Sequence, residues 1–171
     1  MADDGNVISN LDLDSAGNGE DSTPVAGIIS QYVKDLSVEN PNAPESFQWQ
    51  DAPQLDIQFN ISARAINPEI QEVVLKVQLT AKTEAGTAYI VELDYAGLAG
   101  MRNLEEGQAH AFVYAEAPRI LFPFARRIVA DAVRDAGFPP VMLEPIDFNG
   151  LYMQQFEAHQ ASAADAPVGN A

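Results

Sequence analysis

From Ile29 onward the chain alternates apolar and polar residues in four successive runs, then changes to a repeat of three and four residues. Successive strand side chains point to opposite faces, so alternation predicts strands with one buried side. The first run is Ile29 to Glu39, with Tyr32, Leu36 and Val38 on one side and Asp35, Ser37 and Glu39 on the other. Leu55 to Ala65 is the second, with Leu55, Ile57, Phe59, Ile61 and Ala63 inward against Asp56, Gln58, Asn60, Ser62 and Arg64. Asn67-Pro68 then marks a turn. Val73, Leu75, Val77, Leu79 and Ala81 carry the third strand, and Glu84-Ala85-Gly86 closes a hairpin. Tyr89, Val91, Leu93 and Tyr95 form the buried side of a fourth, with Ile90, Glu92 and Asp94 opposite.

The longest helical pattern lies between Ala117 and Gly137. Leu121, Phe124, Ala125, Ile128, Val129, Ala132 and Val133 share one face, and Arg119, Arg126, Arg127, Asp131, Arg134 and Asp135 fall on the other. Pro118 suits a first turn, where its missing N–H has no partner in any case. Pro123 lies near the start or kinks the helix. Gly137 can take the left-handed conformation that ends a helix, and Pro139-Pro140 forbid its continuation. A proline-rich loop leads to a last helix around Asp147 to Ala158, with Asp147 as N-cap. Two connections stand out. Asn40 to Pro53 is a long loop holding Phe47 and Trp49, and a loop of that kind is functional or packed down as a lid. Gly97 to Gly107 reads as a glycine-punctuated link whose spacing fits no dinucleotide fingerprint, with Asn103 to Glu106 opening a short helix before Ala109 to Ala115. Four strands followed by helices predict an α+β fold: a four-stranded antiparallel sheet with a long and a short helix on one face. Its other face is polar, acidic and wet.

The 171 residues suffice for one domain with a single core. Residues 1–27, with no Lys or Arg, read as a disordered acidic tail, 28–158 as the folded domain and 159–171 as a second flexible tail. With 25 acidic against 9 basic residues the formal net charge is −16, which repels nucleic acid phosphates and anionic membranes and favours basic partners. There is no cysteine, so disulfides, thiolate catalysis and cysteine metal sites are excluded. The acidic start has neither a basic n-region nor an apolar h-region, and no apolar run is long enough to span or insert into a bilayer. A cytoplasmic protein is expected.

Candidate chemistry is sparse. His110 and His159 have no Ser or Asp at motif spacing, and Glu105-Glu106 diverge on a helix and read as a solvated helix start. Asn60-Ile61-Ser62 matches a glycosylation sequon but lies in a strand. No P-loop, nucleophile elbow or metal cluster is present, so no enzyme is indicated, and neither a cofactor nor a metal is expected. Two surfaces point instead to binding. The acidic outer face of the sheet carries Asp35, Glu39, Glu92 and Asp94 around the apolar Ile90, a pattern that suits charge-guided docking. Phe47 and Trp49 in the loop, Leu55, Ile57 and Phe59 on the next strand, and Leu151, Tyr152, Met153 and Phe156 in the last helix are surplus apolar material. For the strand residues ordinary core is the favoured reading; the others could line an open groove, where Met adapts to varied partners.

Ile120-Leu121-Phe122-Pro123-Phe124-Ala125-Arg126, Gly137-Phe138-Pro139 and Leu143-Glu144-Pro145-Ile146-Asp147-Phe148 resemble the signature of the SecB-type protein-export chaperones. Asn40-Pro41-Asn42-Ala43-Pro44 and Glu72-Val73-Val74-Leu75 match the same family in the same order, and the matches run from about Gln31 to Phe156. The resemblance implies a chaperone that holds unfolded precursor proteins in apolar grooves and hands them to the SecA motor ATPase, without ATP or a cofactor of its own. It places motor docking on Asp35, Glu39, Ile90 and Glu92. It also implies a homotetramer, a dimer of dimers with the long helices between sheets, which would use Phe124, Ile128, Val129 and Ala132. The aromatic spacing around Trp49 departs from the family's tryptophan. The alternatives are a general or toxin–antitoxin-associated holdase of the same family, and a small-molecule-binding α+β domain with a closed pocket.

Overall fold

The structure, a computed structural model, describes residues 22–164, so most of the predicted N-terminal tail and the end of the C-terminal one lie outside the described residues. Four strands, β1 (Val25–Glu39), β2 (Gln54–Asn67), β3 (Ile70–Thr83) and β4 (Gly86–Arg102), form one antiparallel sheet in the order β1-β4-β3-β2. They are followed by α1 (Glu106–Ala111), a π-helical segment (Phe112–Glu116), α2 (Ala117–Asp135) and α3 (Phe148–Ala164). The expected α+β class, antiparallel sheet and helix order are all present.

Alternation sorts the two faces of the sheet. Val73, Leu75, Val77 and Leu79 of β3 and Val91 and Leu93 of β4 are fully buried, and Leu121, Ala125, Val129 and Val133 of α2 cover them. Each large aliphatic side chain so buried contributes roughly 1.5–3 kcal/mol. Phe122, read from the sequence as off the apolar stripe, is buried, and Phe124 is exposed.

Three boundaries differ from expectation. β1 starts at Val25, because Val25 to Gly27 pair with the end of β4 although their sequence hardly alternates. β4 continues through Gly97 to Arg102 instead of ending before a glycine link. A Cβ on Gly97 would lie 2.8 Å from Leu121 Cδ2, and one on Gly100 would lie 2.8 Å from Ile29 Cδ1. Those glycines mark close approach inside a strand rather than a break. α3 runs on to Ala164, past the expected end at Ala158, and it leans on the π segment rather than lying flat on the sheet. It is no short helix.

The predicted stops hold. Gly137 has φ +95°, the Gly137 N–H donates to Arg134 O (3.0 Å), and Asn40 Nδ2 donates to Ala136 O (2.8 Å). Asp147 Oδ1 accepts from the Gly150 N–H at 2.9 Å, the N-cap bond expected for α3. Pro118 falls in the first turn of α2 and Pro123 inside it.

Candidate functional site

The loop between β1 and β2 folds down on the end of the sheet. Asn42 Nδ2 donates to Thr87 O (2.9 Å), and Trp49 reaches over Gly86, whose φ of +144° keeps the hairpin tight. Phe47 packs at a tilt against Phe138 (centroids 5.2 Å apart), and Phe138 against Tyr89 (4.7 Å). Gly137 makes room for the Phe47 ring, since a Cβ there would stand 2.9 Å from it.

From Trp49 the inward side of β2 continues the apolar surface. Leu55 (42% exposed) and Phe59 (37%) are not ordinary core, whereas Ile57 and Ile61, which alternate with them, are partly buried against it. Six residues of strand extend this strip over about 20 Å. β2 is an edge strand, and α2 lies over β3 and β4, which leaves the strip open. At the far end Phe59 meets Phe122 edge-on (6.0 Å), Phe122 meets Phe148 (5.7 Å), and α3 stands over a cavity of about 230 Å³ lined by Phe59, Ile61, Tyr114, Ile146, Phe148 and Leu151. Leu151, Met153 and Phe156 are each about half exposed, and Tyr152 stacks on Phe156 (6.2 Å).

Of the groove residues chosen from sequence, Phe59, Leu151 and Tyr152 line this cavity together, Phe47 and Trp49 pack at the loop end, and Met153 and Phe156 are exposed on α3. Sequence reasoning missed His110, Tyr114, Ile61, Ile146 and Phe148. His110 Nδ1 lies 2.9 Å from the Tyr152 hydroxyl and its ring packs at a tilt against Tyr114 (4.6 Å), which ties α3 to α1 and the π-helical segment. The i, i+4 spacing of His110 and Tyr114 was the available signal.

On the opposite face, β1 and β4 bring the acidic residues together in register. Glu39 faces Ile90, Ser37 faces Glu92, and Asp35 faces Asp94. Gln78 Nε2 donates to Glu92 (3.0 Å), and Lys76 approaches Asp94 (3.6 Å), whereas Asp35 and Glu39 have no ion pair among the described residues. Like charges directly opposite destabilise a sheet, so this patch is kept at a cost.

The four residues expected at an oligomer interface separate. Val129 and Ala132 are buried in the chain's own core and cannot serve another chain without opening it. Phe124 (42% exposed) stacks on Tyr95 (6.4 Å), and Ile128 is half-buried. Beside them Val33, Leu36 and Val38 of β1 stay uncovered. Tyr32 was grouped with Leu36 and Val38, but it points to the other face, because a bulge between Val33 and Asp35 reverses the alternation.

Tyr32 instead meets Glu72, the one charged side chain buried in the described structure. Tyr32 Oη donates to Glu72 Oε1 (2.5 Å), and Lys34 Nζ (2.8 Å) and Arg64 (3.1 Å) bond Oε2. Hydrogen bonds from Lys34 and Tyr32 hold the Glu72 carboxyl down at about 2 against desolvation, and burial, followed by the hydrogen bond to Glu72, raises Tyr32 to about 12. Among the described residues no group of three metal-ligating side chains comes together, and no helix is long and apolar enough to cross a membrane.

The sheet thus carries an open apolar strip on one side and an acidic patch on the other, in which Asp35 and Glu39 have no ion pair among the described residues. The model of the preprotein translocase subunit SecB matches residues 19–159, and the chain belongs to the SecB family, a family of chaperones and not of enzymes. A protein-export protein SecB of Novosphingobium aromaticivorans is 66% identical over the full length of both chains. Those of Erythrobacter litoralis and Zymomonas mobilis are 60% and 48% identical, covering 100% and 96% of this chain and all of each relative. Among solved structures, a Mycobacterium tuberculosis SecB-like chaperone in complex with an antitoxin peptide shares the fold, with a TM-score of 0.59 at 21% identity over 71% of this chain and 90% of that one. The family resemblance read from the sequence is correct.

Proposed function

We propose that this protein is a cytoplasmic export chaperone that binds unfolded precursor proteins on the β2–α3 surface and delivers them to the SecA motor through its acidic face. The carrying observation is the separation of two unlike surfaces on opposite sides of one sheet. The apolar strip can take an extended chain by burying area at roughly 25 cal/mol per Å², less the cost of ordering it. The acidic patch gives rate and selectivity toward a basic partner. A client held on one side leaves the other free for the motor. The close relatives are named for protein export, which favours that role over an antitoxin-linked one. In this reading the protein works as a homotetramer, with Phe124, Ile128 and the uncovered side of β1 meeting other copies. Several grooves on one particle would add avidity for long chains.

The test is a split. Asp35→Lys or Glu92→Lys should abolish binding to purified SecA while client binding stays. Tyr152→Asp or Phe156→Asp should do the reverse, with suppression of client aggregation reduced. Variants that lose both activities together, or neither, contradict the assignment.

A further inference from the structure

β1 carries the first-strand half of the acidic patch, and its pairing with β4 shifts register twice, between Ile28 and Ser30 and between Val33 and Asp35; the second shift lies next to the patch. Tyr32 pairs with Ala96 and Val33 with Tyr95; the next pair is Asp35 with Asp94, so Lys34 is the extra residue of a bulge. Without it Lys34 would face Asp94, and Leu36 and Val38 would face Glu92 and Ile90. A slip of one residue sends every following side chain to the opposite face. Asp35 and Glu39 would then turn toward the helix side. The unbulged register even offers Lys34 an ion pair with Asp94, so something must hold the bulge.

We propose that Glu72 is a positioning residue for the docking face: it grips the side chains on and before the bulge and so turns Asp35 and Glu39 outward. Glu72 sits on β3, two strands from β1, with β4 between. Ala96 lies opposite Tyr32, and its small side chain lets Tyr32 and Lys34 reach over β4 to the carboxylate. Glu72 takes a bond from each, and a third from Arg64 of β2. One buried carboxylate therefore ties both edge strands to the central pair. The inference rests on the docking role of the acidic face, and its test separates the two.

The chain has no cysteine, so an introduced pair reports register cleanly. Ser37 and Glu92 are direct partners, a separation a disulfide can span, whereas a one-residue slip puts Ser37 on the other face. The Ser37→Cys, Glu92→Cys chain should therefore oxidise readily to an intrachain disulfide. Adding Lys34→Met or Glu72→Gln should cut that yield several-fold, and Lys34→Arg should keep it. Should Glu72→Gln fail to fold, Lys34→Met still decides, because Lys34 is partly exposed and outside the core. In otherwise native chains, Lys34→Met should weaken SecA binding roughly tenfold, with Lys34→Arg restoring it. An unchanged disulfide yield in Lys34→Met overturns the positioning role, whatever happens to SecA binding. A lost disulfide with SecA binding intact leaves Glu72 as the keeper of the bulge and overturns the docking role of the face.

Discussion

In an Asp35→Asn variant the side chain keeps its size and its place opposite Asp94 but loses its charge. Facing side chains in an antiparallel pair have Cβ atoms about 5 Å apart. Two carboxylates some 6 Å apart in water repel by roughly 0.7 kcal/mol. Lys76, 3.6 Å from Asp94, already offsets part of this, so about 0.3–0.5 kcal/mol should be recovered by the substitution. For a domain of this size that is a rise in Tm of roughly 1–2 °C. The rise should be present near 0.01 M salt, where the Debye length is about 30 Å, and vanish near 1 M, where it is about 3 Å. The same variant should bind SecA roughly tenfold more weakly. Paired melts at the two salt concentrations and one calorimetric titration measure both effects. A lower Tm at low salt, or a gain that persists unchanged at 1 M, refutes the electrostatic argument; unaltered SecA binding refutes the functional one.

Gly97→Val should destabilise the fold by about 1–3 kcal/mol in denaturant titration, because its branched side chain must displace the buried Leu121. A midpoint equal to the parent's would remove the close approach from the account. Stability should also fall in acid as Glu72 protonates. Its folded pKa is lowered to about 2 from an ordinary 4.5, so the contribution is complete above 4.5 and disappears as pH falls toward 2. The solvent-facing Lys34 and Arg64 screen the cluster, which limits the loss to roughly 2 kcal/mol, and the Glu72→Gln chain should lack this component of the acid transition. Phe124→Asp should reduce self-association in light scattering with little change in the monomer's core, since that ring is already part-exposed. A particle of unchanged mass would move the interface elsewhere.

The strand and helix order was legible because each element carries a clean period: two in Leu55 to Ala65, three and four in Leu121 to Val133. The acidic positions of β1 and β4 were legible for the same reason, but that the two strands are neighbours came only from the sheet order. The bulge at Lys34 was not. An inserted residue leaves no mark in composition, and the strict alternation applied to Tyr32 through Val38 assigned Tyr32 to the wrong side. Glu72 was hidden too, as one more polar position on an outward face, because two of its three partners, Tyr32 and Lys34, lie 40 and 38 residues away in sequence. Val129 and Ala132 show a third limit. Periodicity finds an apolar stripe, but only the packing of α2 on β3 and β4 decides which part stays within the chain and which, like Phe124, is left for another surface.

The central claim is that the β2–α3 surface holds unfolded chains by apolar burial. Calorimetric titration of the purified protein against a precursor in its unfolded form, and then against the same precursor natively folded, tests it most directly. Binding to the unfolded chain alone, with a negative heat-capacity change, is the predicted result. Equal silence toward both forms, or equal binding to both, would contradict it.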